Sequence, residues 1–114
     1  MKHDPLNNRL LDEFPSLKAI YPTIKDGAFD LDTPAYSFYE EIFVPYFIGK
    51  IGEHDVDEIR HCCLFIEEMM NQDELSEDVC MQSVLSPLYE KGIELKNLPL
   101  GERSRQYVMD WIEI

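Results

Sequence analysis

The chain has 114 residues, with 23 acids against 10 bases and a net charge of −13. That length predicts one helical domain over residues 1–114, large enough to fold without disulfides or a structural metal. The charge argues against direct nucleic-acid binding and against an anionic membrane surface, both of which depend on basic side chains; it favours a basic protein partner.

Asp4-Pro5 reads as a helix N-cap followed by a first-turn proline, with Leu6, Leu10, Leu11 and Phe14 at helical spacing. Pro15 closes or kinks that helix, and SLKAIY (16–21) continues it as a short turn. TIKDGAFDLDTP (23–34) is the longest irregular segment; Asp26-Gly27 with alternating Phe29 and Leu31 leaves room for a short β-hairpin around residues 23–34. Thr33-Pro34 starts the next helix, with Ala35, Tyr39, Ile42, Phe43 and Tyr46 on one face, widened by Phe38, Phe47 and Ile48. Six aromatics lie between Tyr36 and Phe47, so this helix is expected to be the most buried. Pro45 should kink it, and Gly49 and Gly52 should end it.

Asp55-x-x-Glu58 is a capping box opening a third helix, whose core stripe reads Val56, Ile59, Cys63, Ile66 and Met70. Ser76 is expected to cap a fourth helix, with Val79, Cys80, Val84, Leu85 and Leu88 inward, kinked at Pro87 and stopped at Gly92. KNLPLG (96–101) is a loop, and a final helix turns Tyr107, Val108, Trp111 and Ile112 inward. The fold class is all-α, an irregular bundle of about five helices with short connections.

The N-terminal MKHDPLNNRLLDEF has no apolar signal segment, and the longest apolar run, IFVPYFIG (42–49), is far short of the roughly 20 residues that span a bilayer. Cys62, Cys63 and Cys80 are odd in number, and two are adjacent on a helix, which is not a secreted disulfide pattern. The expected location is a reducing cytoplasm.

Glu58-x-x-His61 has the spacing that di-iron bundles use twice, but no second such pair exists in the chain. Adjacent mid-helix cysteines cannot both reach one zinc ion without distortion. There is no nucleophile elbow, C-x-x-C, H-E-x-x-H or phosphate-binding glycine loop. The paired carboxylates read as solvated faces, because acid catalysis needs one of a pair in an apolar pocket. The expectation is no enzyme, no cofactor and no metal.

The charge is concentrated. Residues 53–78 hold ten acids and one base, Arg60, a local net charge of about −9. Opposite the Cys63 stripe, the third helix carries Asp57, Glu58, His61, Phe65, Glu68 and Gln72, with Leu64 at the edge. Asp73, Glu74, Glu77 and Asp78 extend the acidity into the fourth helix. An aromatic anchor ringed by acids suits a basic cleft, such as the phosphate-attracting active site of a nuclease. The expected partner-binding residues are Asp57, Glu58, His61, Phe65, Glu68, Asp73, Glu74, Glu77 and Asp78. The competing expectation is a helix buried on two sides, with Phe65 in a second contact.

Through LLDEFPSLK, FYEEIFVPYFI, the acidic third helix and LGERSRQYVMDW, the chain resembles the small, acidic, mostly helical immunity proteins of bacterial contact-dependent growth inhibition and related polymorphic toxin systems. The resemblance implies a cytoplasmic protein that binds and neutralises a cognate toxin domain, often a DNase or an RNase, delivered by a neighbouring cell. It carries over no particular binding residue. The rival expectation is an acidic all-α adaptor or subunit that binds a host protein through an apolar patch.

Overall fold

A computed structural model of the protein describes residues 5–17, 19 and 34–112. The described residues are helical, with no strand among them. Of the segment 23–34, where a hairpin is conceivable, all but Pro34 lies outside the described residues.

The first helix, α1, is Pro5–Glu13, and it buries Leu6, Leu10 and Leu11. Beyond it, the Leu17 amide bonds to the Phe14 carbonyl and that of Ala19 to Ser16, so a tight helical turn follows Pro15. Helix α2 covers 35–52. It begins one residue later than Thr33-Pro34 suggests, with Pro34 at the N-cap rather than inside the first turn. Helix α3 is Val56–Met70, α4 covers 74–90 and α5 covers 102–112, with a 3₁₀ turn at Leu95–Asn97 between the last two.

Both interior prolines are absorbed without breaking a helix. Proline lacks an N–H and its ring crowds the carbonyl four residues earlier. In α2 the turn Tyr39–Phe43 widens to π geometry just before Val44-Pro45, and in α4 Met81–Leu85 does the same before Ser86-Pro87. The wider turn moves the crowded carbonyl aside, and the chain continues as α-helix. These two π turns pack against one another, joining α2 to α4.

Two ends differ from expectation. Helix α2 runs through Gly49 and stops at Gly52, and the left-handed residue that closes it is His54, at φ +57°. The amides of His54 and Asp55 return to the carbonyls of Ile51 and Lys50. Helix α4 is capped by Asp73, whose carboxylate accepts the Ser76 N–H at 2.8 Å; Ser76 is therefore the third residue of the helix and not its cap. Gly92, at φ +92°, ends α4 as its lack of a Cβ allows.

Helix α3 contacts α2, α4 and α5. It turns Cys62, Cys63, Phe65, Ile66, Met69 and Met70 inward, a wider arc than the single stripe expected. Val56 is not core but 59 % exposed, and Trp111 of α5 is 74 % exposed. The other inward assignments on α2 and α4 hold: Phe38, Tyr39, Phe43, Phe47, Val79, Val84, Leu85 and Leu88 join one cluster with the α1 leucines.

Candidate functional site

Helix α3 dominates the surface as well as the core. Its solvent stripe is Asp57, Arg60, Leu64 and Glu68, at steps of three, four and four residues. Leu64 is 61 % exposed and is the apolar residue at the centre of that stripe. Phe65 is not. It is 1 % exposed and packs in an aromatic cluster with Phe14, Phe43 and Tyr39 at centroid distances of 5.3, 5.7 and 6.4 Å, beneath the Arg9 guanidinium at 5.5 Å. Phe65 is therefore a core residue and not the accessible anchor that its place opposite the Cys63 stripe suggests. Residues 62, 65 and 69 form a second buried stripe beside 63, 66 and 70, because α1 and α2 cover the side that a single-stripe wheel leaves open.

Most of the expected acidic contacts are used within the fold. Asp73 is the α4 cap, and the Ser76 N–H holds its carboxyl below the usual range. Glu77 accepts the Arg103 Nε–H at 2.6 Å, tying α4 to α5. Asp78 accepts the Tyr36 hydroxyl, and that hydrogen bond raises the phenol's pKa. Glu58 accepts the Tyr46 hydroxyl on one oxygen and faces His61 on the other. Asp57, Glu68 and Glu74 differ: all three are exposed, and none makes an ion pair or side-chain hydrogen bond among the described residues. The exposed Leu75, in the first turn of α4, follows Glu74.

His61 is the centre of a polar network joining three helices. Its Nε2 lies 2.6 Å from a Glu13 oxygen and its Nδ1 lies 3.0 Å from a Glu58 oxygen. Its ring lies 4.4 Å from that of Phe14. Burial, the largest single influence, lowers the imidazole pKa, but the two carboxylate contacts together outweigh it and leave it raised. Tyr46 is pushed up to about 12 by burial and then by Glu58. Each nitrogen of His61 thus has a carboxylate oxygen within hydrogen-bond distance.

The thiols are held in their neutral form. Burial pushes Cys63 and Cys80 up to about 12 and raises Cys62 further. Among the described residues no group of three histidine, cysteine or acidic side chains is placed to hold a metal ion.

One surface feature was not anticipated. A groove of about 560 Å³ runs between the α2–α3 turn, the start of α3 and the loop after α4. Its walls are Ile51, Val56, Ile59, Ile93, Leu98 and Pro99, with His54, Glu94 and Asn97 at polar positions. The left-handed His54 therefore stands at its edge. The sequence signal is Val56, an apolar residue on the first turn of α3, which assignment to the core stripe obscured.

A family model covers residues 7–97. The chain belongs to the DUF7674 family, a domain of unknown function. No curated protein and no solved structure matches it. The DUF7674 region takes in most of α1, all of α2 to α4 and the 3₁₀ turn; it therefore contains the α3 stripe and the His61 network, while α5 lies beyond it. No helix among the described residues is long and apolar enough to cross a membrane.

Proposed function

We propose that this DUF7674 protein is a stoichiometric binding protein for a basic protein surface, and that its target is a cognate bacterial toxin domain, foremost a nuclease, which it neutralises as an immunity protein. The observation that carries the reading is the α3 stripe, where the exposed Leu64 lies one turn from Glu68 on one side and from Arg60, with Asp57 beyond it, on the other; among the described residues neither carboxylate makes an ion pair or side-chain hydrogen bond. An exposed apolar residue on a stripe with two uncommitted acids and a single base, Arg60, suits a surface on which lysines and arginines lie around an apolar contact. Inhibition of this kind needs no chemistry: it needs steric cover, a few desolvated charge pairs and rapid encounter. The chain's charge of −13 supports the last of these. The choice of a toxin as partner rests on the resemblance to immunity proteins.

The test is co-expression with the domain encoded immediately upstream. Growth arrest by that domain alone, relieved by this protein, is the expected result. With the purified pair, Asp57→Lys with Glu68→Lys should slow association, and Leu64→Ala should speed dissociation. If the upstream domain is harmless, or arrests growth regardless, the toxin assignment falls. If it is neutralised but all three substitutions leave the kinetics unchanged, the α3 stripe falls and the function stands.

The groove favours a second reading, an adaptor that docks a host protein through apolar contact. It predicts a partner whose binding is insensitive to salt, lost on Val56→Asp and retained when Asp57 and Glu68 are reversed.

A further inference from the structure

The geometry points to His61 as a proton-operated clasp: in its imidazolium form it fixes the end of α1 against α3, and losing the proton as pH rises releases α1. Both ring nitrogens face carboxylate oxygens, Nε2 toward Glu13 of α1 and Nδ1 toward Glu58 of α3. A carboxylate only accepts, so both contacts are hydrogen bonds only while both nitrogens carry protons. A neutral ring keeps one N–H and turns a lone pair on the other carboxylate, converting an attraction into a repulsion. The half-exposed ring is open to solvent protons.

The other groups around His61 do not blur this titration. From α1 come Glu13 and the Phe14 ring; beyond α1, Ser16 donates its hydroxyl to the Tyr46 oxygen at 3.4 Å. From α2 comes Tyr46, bound to Glu58, with the Lys50 ammonium 5.4 Å from its ring centre. On α3 the neighbours are Glu58 and the buried Cys62. The α1 guanidinium, Arg9, is engaged over Phe65. Tyr46 and the thiols ionise far above neutrality. His61 is thus the group of this cluster that changes charge near neutral pH.

Helix α1 is a suitable element to be gated. It has nine residues, fewer than the roughly 12–15 below which an isolated helix is marginal, and two of them are asparagines. Its other ties include the leucines, Phe14, the Arg9 guanidinium over Phe65, and the Tyr39 hydroxyl donated to the Leu6 carbonyl at 2.6 Å. Opening α1 uncovers the Phe65 cluster while α2 to α5 keep their mutual packing. This inference does not depend on the identity of any partner.

Two measurements test it on the full chain. Ring-nitrogen NMR of His61 should show both nitrogens protonated at pH 6.5, with a midpoint above the ordinary value of about 6.5. A neutral single tautomer at pH 6.5 overturns the clasp. Amide exchange from pH 6 to 9, corrected for the intrinsic rate, should show protection over 10–14 falling with pH by at most about tenfold per unit, as release of one proton requires, while protection in α4 stays level. His61→Arg should give a level, protected α1, since arginine donates without titrating; His61→Ala should give a level, weakly protected one. A level profile in the wild type, an unchanged slope in His61→Ala, or a parallel fall in α4 each overturns the proposal. The NMR result needs no variant, so it decides even if His61→Ala fails to fold.

Discussion

The sharpest prediction concerns Glu67 and Gly101. Helix α5 has no cap of its own: its N-cap is Gly101, which offers no side chain to the exposed amides of the first turn. Glu67 of α3 fills the role from across the bundle. It accepts the Arg103 N–H at 2.9 Å, the Ser104 N–H at 3.0 Å, the Ser104 hydroxyl at 2.9 Å and the Asn71 side-chain amide at 3.0 Å. Burial, the largest single influence, raises this carboxyl's pKa, but the Ser104 and Arg103 amides, the Ser104 hydroxyl and Asn71 together hold it below the usual range. The carboxylate also explains the glycine. A Cβ on Gly101 would lie 2.4 Å from Cγ and Cδ of Glu67, although the backbone there, at φ −73° and ψ 177°, suits any residue.

A double-mutant cycle follows. Glu67→Ala removes a cap worth about 0.5–2 kcal/mol and leaves charge-assisted hydrogen bonds unmade, each worth about 1.5–3 kcal/mol when buried. Partial exposure lets water recover some of this, so a net loss of about 2 kcal/mol is expected. Gly101→Ala alone should cost about the same, because the methyl evicts Glu67. In the Glu67→Ala background the same methyl has room and a compatible backbone, and should be neutral or stabilising by about 0.4–1 kcal/mol. The coupling is therefore about 2 kcal/mol, with a reversal of sign. Urea denaturation at pH 7 reads it: with a slope of about 1–3 kcal/mol per molar, each single variant should lower the midpoint by roughly 1 M. If Gly101→Ala costs the same in both backgrounds, Glu67 is not what requires the glycine, and the trans-cap account fails.

Three further outcomes are expected. Glu67→Gln should flatten the acid limb of wild-type stability: with the folded-state pKa below the unfolded one, the contribution is full above the unfolded value and is lost as pH falls through the folded value, which a pH series of urea midpoints would show. Phe65→Ala should cost about 3–5 kcal/mol by emptying the centre of the aromatic cluster, and any loss of partner binding should track loss of fold by circular dichroism. Cys62, Cys63 and Cys80 should be unreactive toward a thiol reagent in the native protein and react together in denaturant; rapid labelling of the native state would contradict their burial.

Helical periodicity and local punctuation make the architecture legible in the sequence. Asp55 caps α3 by accepting the Glu58 N–H, and Gly92 ends α4, both as their chemistry dictates. The Glu58 half of that capping box does not form: its carboxylate turns to Tyr46 and His61, a choice made by packing rather than by neighbours in sequence. Pro45 and Pro87 announce a disturbance but not its form, because a π turn and a break begin with the same missing N–H. Phe65 is buried for a geometric reason. A helical wheel locates one buried stripe, but the number of neighbours sets how wide that stripe becomes, and α3 has helices on several sides. The capping role of Glu67 has no local signature, since the amides it caps lie 36 and 37 residues away; the hint is a helix beginning at a glycine with nothing to cap it.

The acidity of residues 53–78 takes on a different meaning in the folded chain. Asp55 and Asp73 cap helices within their own turns, and Glu67 caps one from across the bundle. Glu58, Glu77 and Asp78 tie helices through Tyr46, Arg103 and Tyr36. Glu53 lies 3.5 Å from the Lys50 ammonium, an exposed pair of small energetic weight. A short all-helical chain has many helix ends, each leaving unmatched N–H groups, and carboxylates satisfy them; part of the charge density thus follows from the architecture alone. Asp57, Glu68 and Glu74 make no ion pair or side-chain hydrogen bond among the described residues, though Asp57 and Glu74 stand in the first turns of α3 and α4. Charge reversal at Asp57 and Glu74 also sets a cation at a helix N-terminus and should cost about 0.3–1 kcal/mol, whereas at Glu68 it should alter association with little loss of stability. Reversal at Glu77 should do the opposite, by setting a like charge against Arg103.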